Sequence, residues 1–295
     1  MEEILNLFGW SDNSVYGHEK ILQDYCVTYR RILGHVQHGW NPFSGWTLAG
    51  HELLRNHSRR YVWGDRQLKY SKSIGVSVKA AIGAPWLYMR TETASFNPDD
   101  SKTPLIFPFH GTGQHAVNYP HDVFLNQVIE SFGTNLTIHL HANEYENSNL
   151  KSSYTKRGFL PVTSGKIHNV KFLYNLREKL VQTPFIVTNR ISTVSMYAAS
   201  LGIPTHFIGD IPSTKGETKE TLSQLKMLQE ELGSYSNNPD SLIRFSEREL
   251  GINHKKSPTE LASILTLKYP KRTIYPFFLS ASYASRILRR LQMKK

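Results

Sequence analysis

The feature that most constrains this chain is the close alternation of strand and helix patterns between Pro104 and Gly209. "PLIFPFHGTG" reads as a buried strand closed by a glycine turn. "PHDVFLNQVIESFG" reads as a helix, with Pro120 near its start and Gly133 at its stop. "NLTIHLHAN" alternates strictly, as a strand does, and "KFLYNLREKLVQ" is an amphipathic helix. "TPFIVTNRISTVSMYAASLGIPTHFIG", Thr183 to Gly209, then gives strand, polar turn, short helix and strand. Strands spaced by single helices predict a parallel sheet covered by helices, and hence an α/β fold.

The first hundred residues repeat the theme less regularly, in the strand-like runs "ILGHVQHGW", "RRYVWGD" and "KAAIGAPWLYM". The polar, breaker-rich stretch Thr91 to Pro104 is the expected linker. The organisation expected is a domain over 1–100, a second over 101–270 and a C-terminal helix over 271–295. Toward the end, "ETKETLSQLKMLQEELG" places Leu222, Leu225, Leu228 and Leu232 on one helical face. Ser257, Pro258 and Glu260 form a capping box with proline at the first helical position.

Parallel sheets bind ligands beyond the carboxyl ends of their strands. The polar groups expected at that edge are therefore the candidate site. In "FHGTGQH", Gly111 and Gly113 let the backbone approach a ligand closely, Thr112 adds a hydroxyl and His110 precedes them. The spacing is neither that of a P-loop nor that of a dinucleotide fingerprint. His139 and His141 lie two apart on a strand and share a side. They read as a metal pair lacking a third ligand, as partners of a phosphate or nucleoside, or as structural histidines. Thr188, Asn189, Arg190, Ser192 and Thr193 crowd the mouth of one helix. One cap is needed there, so the surplus reads as a phosphate cradle. In the first hundred residues His38 follows a strand and precedes Gly39, which suits a general base or a turn histidine. Asp65 holds the equivalent place after the next strand, as acid, base or helix cap.

Charge narrows the partners. There are 35 Lys and Arg against 24 Asp and Glu, a net charge of +11, which favours an anionic partner. No nucleic-acid motif accompanies that charge, so no nucleic acid is expected as partner. The tail carries much of it. Leu279, Tyr283, Ile287, Leu288 and Leu291 share a helical face, flanked by Arg286, Arg289, Arg290, Lys294 and Lys295. That pattern suits a helix on an anionic membrane surface, or one packed back on the protein. Cys26 is the single cysteine, which excludes an intrachain disulfide. The acidic start "MEEILNLFGW" does not read as a secretory signal, and no run of 18 apolar residues occurs. The expected place is the cytoplasm, peripheral on the inner face of the membrane.

Taken together, "IHLHAN" and "TNRISTVSMYAASLGIPTHFIG" resemble the histidine strand end and the Ser/Thr-rich helix start of bacterial glycosyltransferases of the GT-B fold. The likeness is nearest to capsule and surface-polysaccharide enzymes that use CMP-activated Kdo, sialic or pseudaminic acid. It covers residues 100–210 best. Ala142 stands where that family has proline, and Ala198 and Ala199 where many nucleotide-sugar enzymes carry a ribose-binding glutamate. The resemblance implies two Rossmann-like domains, a nucleotide-sugar donor as substrate with no catalytic metal or other cofactor, and a glycan or lipid-linked glycan acceptor. On it, His110, Gly111, Thr112, Gly113, His141, Asn189, Ser192 and Thr193 bind the donor, and His38 or Asp65 deprotonates the acceptor. "HGW" also resembles the His-Gly loop of CDP-glycerol polymerases, which makes glycerol-phosphate transfer the alternative chemistry. A basic nucleic-acid-binding protein is the alternative outside enzymes.

Overall fold

The computed structural model describes residues 13–32, 34–43, 59–90, 103–109, 117–118, 121–214, 217–232 and 239–265. The first unit runs α1 (His18–Tyr25), β1 (His35–Val36), β2 (Arg60–Val62), α2 (Asp65–Ser73) and β3 (Ala80–Ala81). Its strands form a parallel sheet in the order β1-β2-β3, with His35 opposite Arg60 and Tyr61 opposite Ala80. These are the three strand-like runs of the first hundred residues.

The second unit runs β4 (Leu105–Phe107), β5 (Val117–Asn118), α3 (His121–Phe132), β6 (Leu136–His139), α4 (Ala142–Glu146), α5 (Ser148–Lys156), β7 (Phe159–Val162), α6 (Phe172–Val181), β8 (Ile186–Thr188), α7 (Thr193–Ser200) and β9 (Thr205–Phe207). Five of its strands form a parallel sheet in the order β7-β6-β4-β8-β9. Counted along the chain, that is 3-2-1-4-5, the doubly wound Rossmann order without its sixth strand, and its reversal point lies between β4 and β8. The protein is therefore α/β with two parallel sheets, as the spacing predicts. β5 stands apart, paired antiparallel with β10 (Ser213–Thr214).

The central strands are buried on both faces: β4 is apolar throughout and β8 ends in the buried Thr188, while β6 alternates, with Leu136 and Ile138 buried and Thr137 and His139 partly exposed. Leu105, Phe107 and Ile186 face a core shared with the first unit, including Tyr61, Trp63, Ile82 and Tyr197. Ile106, Ile138 and Val187 face a separate cluster with Phe124, Val128 and Tyr154. The edge strand β7 was not legible as a strand. Pro161 sits within it and Leu160 is 64% exposed, features an edge tolerates and a central strand does not.

Three further helices close the described chain: α8 (Lys219–Leu232), α9 (Pro239–Leu250) and α10 (Pro258–Leu265). α10 begins with the expected capping box, as the Ser257 N–H donates to Glu260 Oε2 at 3.0 Å and the Glu260 N–H to Ser257 Oγ at 3.4 Å. α9 packs along α7, and the chain then returns to the first sheet. The Ala84 N–H donates to the Leu250 carbonyl at 2.8 Å, and the Tyr61 hydroxyl to the Ile264 carbonyl at 2.9 Å. Gly251 makes the crossing possible. Its φ is +72°, and a Cβ there would stand 1.9 Å from the Trp63 carbonyl oxygen. The segment 271–295 lies outside the described residues. Among those described, no helix is long and apolar enough to cross a membrane.

Candidate active-site cleft

The carboxyl ends of both sheets meet at one cleft of about 280 Å³. The first unit contributes His38 and Gly39, just beyond β1, and Tyr16 from the turn before α1. The second contributes Phe107, Pro108 and Phe109 at the end of β4, His139 and His141 at the end of β6, and Thr188, Ser192 and Thr193 after β8. Phe172, Leu173, Leu176, Val194 and Tyr197 complete an apolar wall. Four sequence-predicted residues, His38, His141, Ser192 and Thr193, are thus brought together from both units.

The loop carrying His38 is fixed by side chains distant in sequence. Gln37 Oε1 accepts from the Trp63 N–H at 3.1 Å, and its Nε2 donates to the Gly39 carbonyl at 2.7 Å. Arg66 donates to the Asn41 and Pro42 carbonyls at 2.7 and 2.9 Å. Its Nε also donates to Glu249 Oε2 at 2.5 Å, and that oxygen accepts the Trp40 indole N–H at 2.7 Å. The Trp40 backbone N–H donates to Thr193 Oγ1 at 3.1 Å. This last bond clasps the His38 loop to the first turn of α7. Behind the loop, His18 is buried, and none of the described residues partners its Nε2. Burial, with a smaller contribution from His38, pushes the His18 pKa down to about 3, so it stays neutral in ordinary buffers.

The crowded helix mouth divides into separate tasks. Asn189 is buried, and its Oδ1 accepts from the Phe109 N–H at 2.8 Å, tying the ends of β8 and β4 together. Arg190 is 6% exposed and ion-paired with Glu217 through both guanidinium ends. It also donates to the Pro212 carbonyl at 2.7 Å and lies 4.4 Å over the Phe109 ring. Burial raises the Glu217 carboxyl, but hydrogen bonds from Arg190 and the Thr214 N–H outweigh it and hold its pKa below the usual value. The Ile191 N–H is taken by Gln229 Oε1 at 2.8 Å. Neither Asn189 nor Arg190 lines the cleft, and the surplus read there as ligand-binding is used by the fold. Thr193 does line it, but its hydroxyl is shared with Trp40. Ser192 is the N-cap, in extended backbone at φ −152°, and its N–H donates to Ser195 Oγ at 3.4 Å. As the first residues of α7, Thr193 and Val194 have N–H groups with no intrahelical acceptor. A helix start with open donors in a cleft attracts an anion.

His141 is the N-cap of α4. Its Nδ1 accepts a long bond, 3.5 Å, from the Asn143 N–H, while its own backbone N–H donates to Glu144 Oε2 at 3.1 Å. Burial lowers the His141 pKa, favouring the neutral ring. With Nδ1 accepting, the ring proton sits on Nε2, which makes His141 a neutral donor. His139 stacks on Phe107 at 4.8 Å, and its Nε2 hydrogen-bonds Ser164 Oγ at 2.8 Å. Among the described residues, no group of three or more His, Cys, Asp or Glu side chains is arranged to hold a metal ion.

Asp65 lies elsewhere. It is the first residue of α2, 71% exposed, and its Oδ1 meets His254 Nε2 at 3.0 Å. His110, Gly111, Thr112 and Gly113 lie outside the described residues. The sequence reading missed the aromatic wall, above all Tyr16, Phe109 and Tyr197. Only Phe109, next to the glycine turn, carried a local signal.

No family model matches the chain, and no curated protein matches it. Among solved structures the chain is similar to Os79 from O. sativa in complex with UDP, at 16% identity over 70% of this chain and 50% of that one, with a TM-score of 0.33. It is also similar to Os79 in complex with U2F and trichothecene, at 14% identity over the same shares and a TM-score of 0.30. The chain spans about half the length of these solved chains. At such scores the fold assignment rests on the strand order and the two parallel sheets described above.

Proposed function

We propose that this chain is a glycosyltransferase of GT-B type, which moves a sugar from a nucleotide-activated donor to a hydroxyl acceptor. One observation carries the reading. Two parallel sheets turn their carboxyl ends toward one cleft, with His38 on one side and the open N-terminus of α7 on the other. On this reading the donor phosphate rests at Ser192 and the Thr193 and Val194 N–H groups, with the His141 Nε2–H as a further neutral donor. His38 takes the acceptor hydroxyl proton as the new C–O bond forms at the anomeric carbon. The bond from that carbon to the phosphate oxygen breaks, and the α7 N-terminus stabilises the departing charge. The apolar wall holds the flat faces of a base, a sugar or the acceptor. A CMP-linked donor and a bacterial surface glycan as acceptor are the finer reading, supported by the sequence resemblance alone.

Calorimetry with CMP, CDP, UDP and GDP separates the donors, and preference for CDP would favour glycerol-phosphate transfer instead. Ser192→Ala is expected to lose about 1–3 kcal/mol of affinity for the nucleotide preferred, the range for a hydrogen bond to a charged group. It leaves the Thr193–Trp40 clasp intact but removes the α7 cap as well, so affinity is compared in variants whose fold is verified by urea unfolding. Unchanged affinity in this variant removes the phosphate from the α7 start.

Docking on anionic lipid at the inner membrane face belongs to the same proposal. It is supported by the apolar face from Leu279 to Leu291 and its flanking arginines and lysines. Each Lys or Arg near such a surface contributes about 1 kcal/mol. Reversing charge at Arg286, Arg289 and Arg290 is therefore expected to reduce co-sedimentation with anionic vesicles sharply. Equal sedimentation of the folded variant would rule out docking through this segment.

A further inference from the structure

A second cavity, of about 230 Å³, lies close to the cleft. Trp86 lines the cavity and Tyr197 lines the cleft, and their rings stack at 4.2 Å and 11°, so one aromatic pair stands between the two spaces. The cavity draws on both units: Trp86 from the first, Arg177 from α6, Ser200 from α7, Glu247 from α9, and Lys255 from the returning segment.

Its charged groups are unmatched. Arg177 is half-buried, and none of the described residues pairs with its guanidinium. Burial pushes its pKa below the ordinary value. Lys255 and Glu247 likewise have no ion pair among the described residues. Ser200 is already used: its hydroxyl donates to the Tyr197 carbonyl at 2.8 Å and accepts from the Trp86 indole at 3.0 Å. A guanidinium held partly out of water without an anion is costly, and its planar fork fits a carboxylate or a phosphate in two-point contact. Two cations against one carboxylate leave the lining positive.

We propose that this cavity binds a small molecule bearing a phosphate or a carboxylate, with the anionic group between Arg177 and Lys255 and an apolar part against Trp86. The site is separate from the cleft and does not depend on the reaction assigned there.

Fluorine NMR of the full chain labelled with 5-fluorotryptophan reads the cavity directly. The Trp86 signal is assigned by its loss in Trp86→Phe. Inorganic phosphate and acetate are titrated at matched ionic strength, and whichever saturates the Trp86 shift at lower concentration identifies the preferred anion. Arg177→Gln is expected to weaken that anion about tenfold or more, the scale of one lost charge-assisted contact. Lys255→Gln, at an exposed position that folding tolerates, weakens it less, and Glu247→Gln tightens it. Ser192→Ala leaves the titration unchanged, which separates this site from the cleft. The proposal is overturned if neither anion saturates the shift, if the shift survives both cation replacements, or if Ser192→Ala abolishes it.

Discussion

Replacing His38 by alanine is expected to cut turnover about 10²- to 10⁴-fold while leaving nucleotide affinity nearly unchanged, the usual contribution of a positioned general base. The separation of effects follows from the geometry. His38 enters the cleft from the first unit, while the open α7 donors belong to the second. The loop around His38 is held by Gln37, Trp40 and Arg66, none of which needs the imidazole. The alanine variant should therefore fold as the parent does. Turnover and calorimetry on one preparation decide the matter. Turnover within a few-fold of the parent would remove His38 from the chemistry. An equal loss of donor affinity would make it a binding residue instead.

Glu249→Ala should cost about 2–3 kcal/mol of stability, because it strands the buried Trp40 indole N–H and removes the anion from an Arg66 that is only about one-third exposed. Glu249 is 1% exposed and accepts from both the Trp40 indole and Arg66 Nε. Truncation leaves that indole N–H without its acceptor and opens a void beside the guanidinium. Glu249→Gln keeps the shape and should cost less. Urea unfolding of the three proteins measures the difference. A loss under about 1 kcal/mol for the alanine variant, the range of an exposed pair, would show that the carboxylate does not hold the loop.

Four strands of the second sheet, all but β7, were legible because short apolar or alternating runs are divided by well-punctuated helices. Gly133 at φ +79° ends α3, and the Ser257–Glu260 box begins α10. The position of His38, His141, Ser192 and Thr193 was legible for a related reason, since each follows a strand and parallel strands point their ends alike. The same rule misplaced Asp65. It follows β2, but β2 is the middle strand of its sheet, and the returning chain covers its end. Gly64 lies against the Arg248 carbonyl and Gly251, and His254 takes the Asp65 carboxylate. No local pattern announces a segment that returns from 189 residues away. Asn189 and Arg190 were misread for the same kind of reason. Their partners, Phe109 and Glu217, lie 80 and 27 residues off, so the local sequence showed polar groups without showing what uses them.

The bond between Trp40 and Glu249 joins residues 209 apart, and it has a consequence during synthesis. A ribosome adds about 5–20 residues per second, so some 10–40 seconds separate the appearance of the two partners. Throughout that interval the His38 loop has neither its carboxylate nor, until Thr193 emerges, its clasp. A nascent chain stalled before Glu249 would carry every catalytic candidate while its His38 loop still lacked the carboxylate that takes the Trp40 indole and Arg66.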